Sequence, residues 1–230
     1  MAMFWFWDPT MIIVVPALLL ALYAQLRVQS TYARYSQVPV STGLTGAEAA
    51  QEILRRNGLA NVQIERVDGV LSDHYDPRTR TLSLSSDVYG GASVAAVGVA
   101  AHETGHAIQH AREYAPLALR SALVPTVQFG SWLAYPIFIL GFLFHSGTMV
   151  QLGILVYSAI VAFTVVTLPV EFDASARALR ALREESLVTA DELRGVRSVL
   201  TAAALTYVAA AATAILSLVR MLLIANRREE

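Results

Sequence analysis

The chain has 230 residues, of which 55% are hydrophobic and only 15% charged, with a formal net charge of −1. Ordinary soluble domains run at about 45–50% apolar and about 25% charged, so a disordered chain is excluded and a membrane protein is indicated rather than an ordinary soluble enzyme. No global basic field exists to recruit nucleic acid, and zero cysteines exclude disulfides, thiol catalysis, iron–sulfur clusters and Cys-ligated zinc. All 17 basic residues are arginine, which removes Schiff-base chemistry and phosphate binding by a P-loop lysine. Any metal site must therefore draw on carboxylates and five histidines.

In chain order, the first apolar segment runs from about Met3 to Leu26, with Phe4, Trp5, Phe6 and Trp7 ahead of it as an interfacial belt. Asp8 and the lack of positive charge before its core favour a retained anchor over a cleaved signal peptide. A second span is expected at Ser121–Phe144, with Pro125 and Pro136 tolerated as membrane helices allow. A third follows at Met149–Val170 after a His145-Ser146-Gly147-Thr148 turn, and a fourth at Val199–Ile224. Each is long enough to cross roughly 30 Å of hydrocarbon. Residues 27–120 carry nine arginines and residues 171–198 five, against none in the 145–148 turn. Both polar regions are therefore expected in the cytoplasm. Arg220, Arg227 and Arg228, at the far end of the fourth span, run against this rule.

The polar region after the first span reads as a small α+β unit. Thr45-Gly46-Ala47-Glu48 is a capping box and Asn57-Gly58 a helix stop, so a helix is expected over 46–57, burying Ala49, Ala50, Ile53 and Leu54. Val62–Val67 alternates as a strand, and Val70–Tyr75 with Thr81–Leu84 flank Asp76-Pro77-Arg78-Thr79 as a hairpin. Phe172–Glu185 reads as an arginine-rich helix, and Thr189-Ala190-Asp191-Glu192 as a second capping box opening the last helix. The chain divides into an anchor (1–26), a cytoplasmic α+β region with the motif helix (27–120), a transmembrane hairpin (121–170), a cytoplasmic helix (171–198) and a final transmembrane helix (199–230).

The segment that carries chemistry is Ala101-His102-Glu103-Thr104-Gly105-His106. Histidines four apart on a helix share one face and can share one zinc ion, while the intervening Glu103 reaches a zinc-bound water as general base. Zinc lowers the pKa of such a water toward about 7 and polarises the scissile carbonyl. The apolar run Ser93–Ala101 suits a buried helix capped by Ser93. The alternative is a pair of histidines serving as ordinary polar partners.

Catalytic zinc usually takes three protein ligands. His110, eight residues beyond His102, stands about 12 Å along a continuous helix from it, so it suits an orienting or structural role. Glu171 is the better candidate, an acid placed where the third span ends, which is costly unless paired or solvated. Ala174, Ser175 and Ala178 on its helical face would let another helix approach closely. Asp173 is the rival ligand, about 200° away around the helix. Arg177 pairs with a carboxylate or an oxyanion, or belongs to a solvated face. His74, between Asp73 and Asp76, orients substrate or faces solvent. Arg180, Arg183, Arg194 and Arg197 suit anionic lipid headgroups.

These residues carry a resemblance. Ser72-Asp73-His74-Tyr75-Asp76-Pro77, the run Val97–Ala111 around the paired histidines, Leu119–Pro125 and Leu168-Pro169-Val170-Glu171-Phe172-Asp173-Ala174-Ser175 resemble the bacterial membrane-bound neutral zinc metallopeptidases of the YugP type. That family looks like a compact relative of the HtpX and CAAX-protease gluzincins. The resemblance implies His102, His106 and Glu171 as ligands of one zinc ion per chain, Glu103 as catalytic base and a location in the bacterial inner membrane. Those relatives often read Glu-Phe-x-Ala-Asp, whereas the fifth position here is Ser175, which leaves the orienting role of that aspartate without an owner.

The expected fold is thus a mainly α integral membrane protein with about four transmembrane helices, a small cytoplasmic α+β unit and a helix bearing the His-Glu-x-x-His motif. The expected function is a multi-pass zinc endopeptidase that hydrolyses peptides or membrane-protein substrates at the cytoplasmic face. An intramembrane protease of the site-2 type is the first alternative, though the apolar run before His102 is too short to span. A non-catalytic zinc-binding membrane scaffold is the second.

Overall fold

A computed structural model describes residues 9–69 and 72–226 of the chain. The protein is mainly helical, with helices α1 (Val15–Tyr35), α2 (Gly46–Arg56), α3 (Ser86–Tyr89), α4 (Val94–Ala111), α5 (Ala115–Leu143), α6 (Gly147–Glu184) and α7 (Ala190–Asn226). Three short strands, β1 (Gln63–Val67), β2 (His74–Asp76) and β3 (Thr81–Ser85), form one sheet in the order β1-β3-β2. The chain separates into two compact units, one of Met1–Ala24, Leu119–Leu168 and Thr206–Glu230, the other of Gln25–Ala118 and Pro169–Leu205.

In the first unit, α5 and α6 form the expected hairpin, turned through His145 in a left-handed conformation (φ 57°). Side chains added at Gly141 and Gly153 would run into Val150 and Phe138 respectively, so the two helices pack backbone to backbone around Ala134, Phe138, Val150, Tyr157 and Met221. The remaining faces carry exposed large apolar groups, among them Trp132 at 81% exposure and Phe129 at 74%, a surface suited to lipid rather than water. Among the described residues, α5, α6 and α7 are long and apolar enough to cross a membrane. Helix α1 is not one of these three, and the first expected span begins in residues 3–8, which with its aromatic belt and Asp8 lie outside the described residues. Arg220 is buried and donates through Nε to the Thr10 hydroxyl at 3.2 Å. This arginine of the last helix is thus turned inward on a polar partner; Arg227 and Arg228 lie outside the described residues.

Helix α6 continues through residue 170, where the third span was expected to end. It is 38 residues long and unbroken at Pro169, so the apolar stretch and the arginine-rich segment are one helix. A proline deletes one intrahelical bond and crowds the preceding turn, a disruption that membrane helices accommodate by local adjustment.

The second unit is built around α4. Its small residues let partners approach from two sides. Ala100 and Ala107 pack with Leu54, Leu82, Leu84 and Val88 beneath the sheet, while Val97, Ala101 and Ile108 pack with Ile53, Leu182, Val196 and Leu200. The central strand β3 is buried at all five residues. It pairs antiparallel with β2, as the expected hairpin requires, and parallel with β1, a pairing not evident in the sequence. Strand β2 is shorter than the expected 70–75, of which Val70 and Leu71 lie outside the described residues. The short helix α3 is also new.

Helix α2 bears out its capping box. The Thr45 side chain accepts from the Glu48 amide at 3.2 Å, and the Glu48 carboxylate accepts from the Thr45 amide at 2.8 Å. Ala49, Ala50, Ile53 and Leu54 are buried as the pattern predicts. The second box also forms, and there Glu192 accepts from the amides of both Thr189 and Ser41. Thr45→Ala should lower stability by about 1 kcal/mol, the usual consequence of losing such a cap. Denaturant titration of the detergent-solubilised protein, followed by helical circular dichroism, measures this, and an unchanged midpoint would contradict it.

Candidate metal centre

Helix α4 starts at its Ser93 cap, whose hydroxyl accepts from the Ala96 amide at 3.2 Å. Two and a half turns later it presents His102 and His106 side by side, their rings 4.8 Å apart and nearly perpendicular. Glu171 arrives from α6. Its Oε2 lies 3.2 Å from His102 Nε2 and 3.7 Å from His106 Nε2, although 69 residues separate it from His102. One ligand atom from each of the three residues lies within 4.8 Å of the others. Donors sharing a tetrahedral zinc at about 2.0–2.2 Å stand about 3.3 Å apart, so this trio fits such an ion.

The approach of the helices depends on Gly105. A β-carbon there would overlap the carbonyl oxygen of Ala174 and come within 3.0 Å of its carbonyl carbon. On the α6 side, Ala174 and Ala178 are fully buried. Small residues on both helices bring the third donor into reach.

Behind the donors lies a polar layer. Ser175 Oγ stands 3.1 Å from His102 Nδ1, offering a hydroxyl to that ring. His106 Nδ1 faces Gln109 Oε1 at 3.0 Å. Gln109 is fully buried and donates through Nε2 to the Val170 carbonyl at 2.7 Å and to Asp173 Oδ2 at 2.8 Å. Asp173 is therefore turned toward Gln109, and Arg177 Nε binds it at 2.6 Å while lying 5.7 Å from the centre of the Tyr114 ring. Arg177 thus has a carboxylate partner on its own helix. His110 Nδ1 meets the Tyr75 hydroxyl at 2.9 Å, tying α4 to strand β2. His74 is exposed and bonds the Ser72 carbonyl at 2.8 Å, away from the trio. Sequence reasoning missed Gln109 and Tyr75. The only local signal for Gln109 is its place three residues after His106, one turn along the same face.

Electrostatically the centre is a buried mixture of cation and anion sites. Glu171 is 2% exposed, His106 8% and Glu103 9%. Burial by itself pulls the His106 imidazolium pKa down. The Glu171 hydrogen bond, the charges of Glu103 and Glu171 and the Gln109 contact outweigh it, leaving the ring above its ordinary value. Glu103 is thus close enough to act on the cluster by charge.

Two histidines one helical turn apart, a glutamate from a second helix and a carboxylate beside them make up a centre suited to the chemistry of metallopeptidases. The chain matches, over residues 10–226, the family described as "Putative neutral zinc metallopeptidase", and it belongs to that family. It is also 46% identical over 217 residues, covering 94% of this chain and 96% of the relative, to a Bacillus subtilis (strain 168) protein named "Putative membrane protease YugP". No solved structure matches the chain.

Gly105→Ala should force α4 and α6 apart, destabilise the fold by about 1–3 kcal/mol as overpacking does, and weaken zinc binding. Gly98→Ala is the control, because its added carbon meets only the Val196 side chain, at 3.1 Å, and should leave zinc binding intact. Chelator-competition titration of both variants measures the difference, and equal zinc affinity in the two would show that the close approach is dispensable.

Proposed function

We propose that the chain is an integral-membrane zinc endopeptidase acting on peptides or membrane proteins at the cytoplasmic face. The observation that carries this is the number of converging donors. His102, His106 and Glu171 are the one His/Asp/Glu group among the described residues that could hold a metal, and it has three members. Structural zinc sites are closed by four protein ligands, whereas catalytic sites keep a position open. His110, the nearest further histidine, is engaged with Tyr75.

In this reading His102, His106 and Glu171 hold one zinc ion per chain. Zinc held there would supply Lewis acidity toward the scissile carbonyl and the attacking water. Glu103 takes the proton from that water at its carboxylate and returns it to the departing amide nitrogen. Ser175 and Gln109 steady the two imidazoles from behind.

The intramembrane alternative is less well supported. Helix α4 is not one of the helices apolar and long enough to span, and its faces are covered by the sheet and by α2, α6 and α7 residues of its own unit. A scaffold that holds zinc structurally would leave the buried Glu103 without a role.

The carboxylates separate the readings. Glu103→Gln should retain zinc and lose at least about 10²-fold in peptidase rate, the lower end for removing a general base. Glu171→Ala should lose both metal and activity, and a chelator should abolish wild-type turnover. A fully active Glu103→Gln protein would remove the peptidase reading.

The orientation rests on arginine distribution and is tested by labelling, which the absence of cysteine makes free of background. Single cysteines at Arg56 and Glu184 should resist membrane-impermeant reagents in intact cells, and one at Gly147 should react. Reaction at Arg56 from outside would place the site on the other face.

A further inference from the structure

We infer that Gln109 is a positioning residue that presets His106 for metal by fixing which ring nitrogen carries hydrogen. The inference rests on the metal-centre reading and adds to it. A buried glutamine can turn its amide either way, and its neighbours decide. Here the two groups near Nε2 are the Val170 carbonyl and the Asp173 carboxylate. A backbone carbonyl only accepts, and Asp173 is held as the partner of the Arg177 guanidinium. The amide nitrogen must therefore face them, since an oxygen there would oppose two acceptors in a fully buried place. That leaves Oε1 toward His106 Nδ1 at 3.0 Å. An amide oxygen cannot donate, so Nδ1 bears the hydrogen and Nε2, which faces Glu171, is the nitrogen left for a metal.

His102 is held differently. Its Nδ1 meets the Ser175 hydroxyl, which donates or accepts as the ring requires. The two histidines are therefore unequal, with one preset and one adaptable. The same amide also bonds the carbonyl of Val170, the residue before Glu171, so one side chain registers two of the three donors against each other.

The test uses the full-length protein in detergent, with zinc as the probe. Gln109→Met keeps bulk and burial but removes every hydrogen bond. It should weaken zinc binding by about 10–100-fold, the usual range for losing a ligand's orienting partner. It should also abolish the downfield, exchange-protected Nδ1 proton of His106 in histidine-labelled spectra of the zinc form. Gln109→Glu keeps an acceptor for His106 but loses both donated bonds to α6. It should therefore unfold at least as readily as Gln109→Met and yet bind zinc more tightly than it. Wild-type zinc affinity in Gln109→Met would overturn the inference. Zinc losses in the two variants that simply follow their melting temperatures would also overturn it, leaving Gln109 as a helix clamp. Failure of the wild type to bind zinc would instead defeat the metal-centre reading itself.

Discussion

The contact between Gly105 on α4 and the backbone of Ala174 on α6 is the constraint on which the centre depends. Helix axes usually lie 8–10 Å apart, a spacing set by the side chains between them. Here one helix offers no side chain and the other a methyl group, so the backbones meet. Glutamate is a short side chain, and only this proximity brings its carboxylate to 3.2 Å from His102 Nε2. The glycine inside the motif, which lowers helix propensity by roughly 1 kcal/mol relative to alanine, is thereby accounted for by packing. The other small residues of α4 serve the same end on its other sides, admitting the sheet at Ala100 and Ala107 and the helical cluster at Ala101.

Burying so many polar groups in one place is tolerable only if they satisfy one another. Around the trio they do. Ser175 takes the outer nitrogen of one ring, Gln109 that of the other, Asp173 receives Gln109, and Arg177 neutralises Asp173. The layer runs outward from a fully buried amide to a partly exposed ion pair, so charge increases toward water. The arrangement leaves two Nε2 atoms and a carboxylate directed at one another and raises the His106 pKa. A cation bound there would compete with that proton, and this ties metal affinity to proton release.

What was legible in the sequence was local. The α2 helix needed only a capping box and a stop within a dozen residues. The β2–β3 hairpin was marked by Asp76-Pro77, and the His102/His106 pair by a spacing of four. Glu171 was legible because an acid stands out at the end of an apolar stretch. Contacts made across long separations were not. The parallel β1–β3 pairing, the Tyr75–His110 bond and the whole of Gln109's role involve partners that no local period announces. The continuity of α6 through residue 170 was not legible for a related reason. Composition changes there from apolar to arginine-rich, but backbone hydrogen bonding in a helix does not depend on what the side chains face, and α6 continues. Asp173 read as a rival ligand because angle around one helix says little about which neighbour will meet it.

The unbroken course of α6 has a mechanical side. The third donor, Glu171, is carried on the same continuous helix as the apolar stretch 149–170. One residue of helix is about 1.5 Å, comparable with the margin that separates a bonding carboxylate from one out of reach. Pro169 removes a backbone donor two residues before Glu171, so the helix can yield just ahead of the donor. The register of α6 against α4, fixed by the Gly105–Ala174 contact within one unit, is therefore what sets the distance of Glu171 from His102.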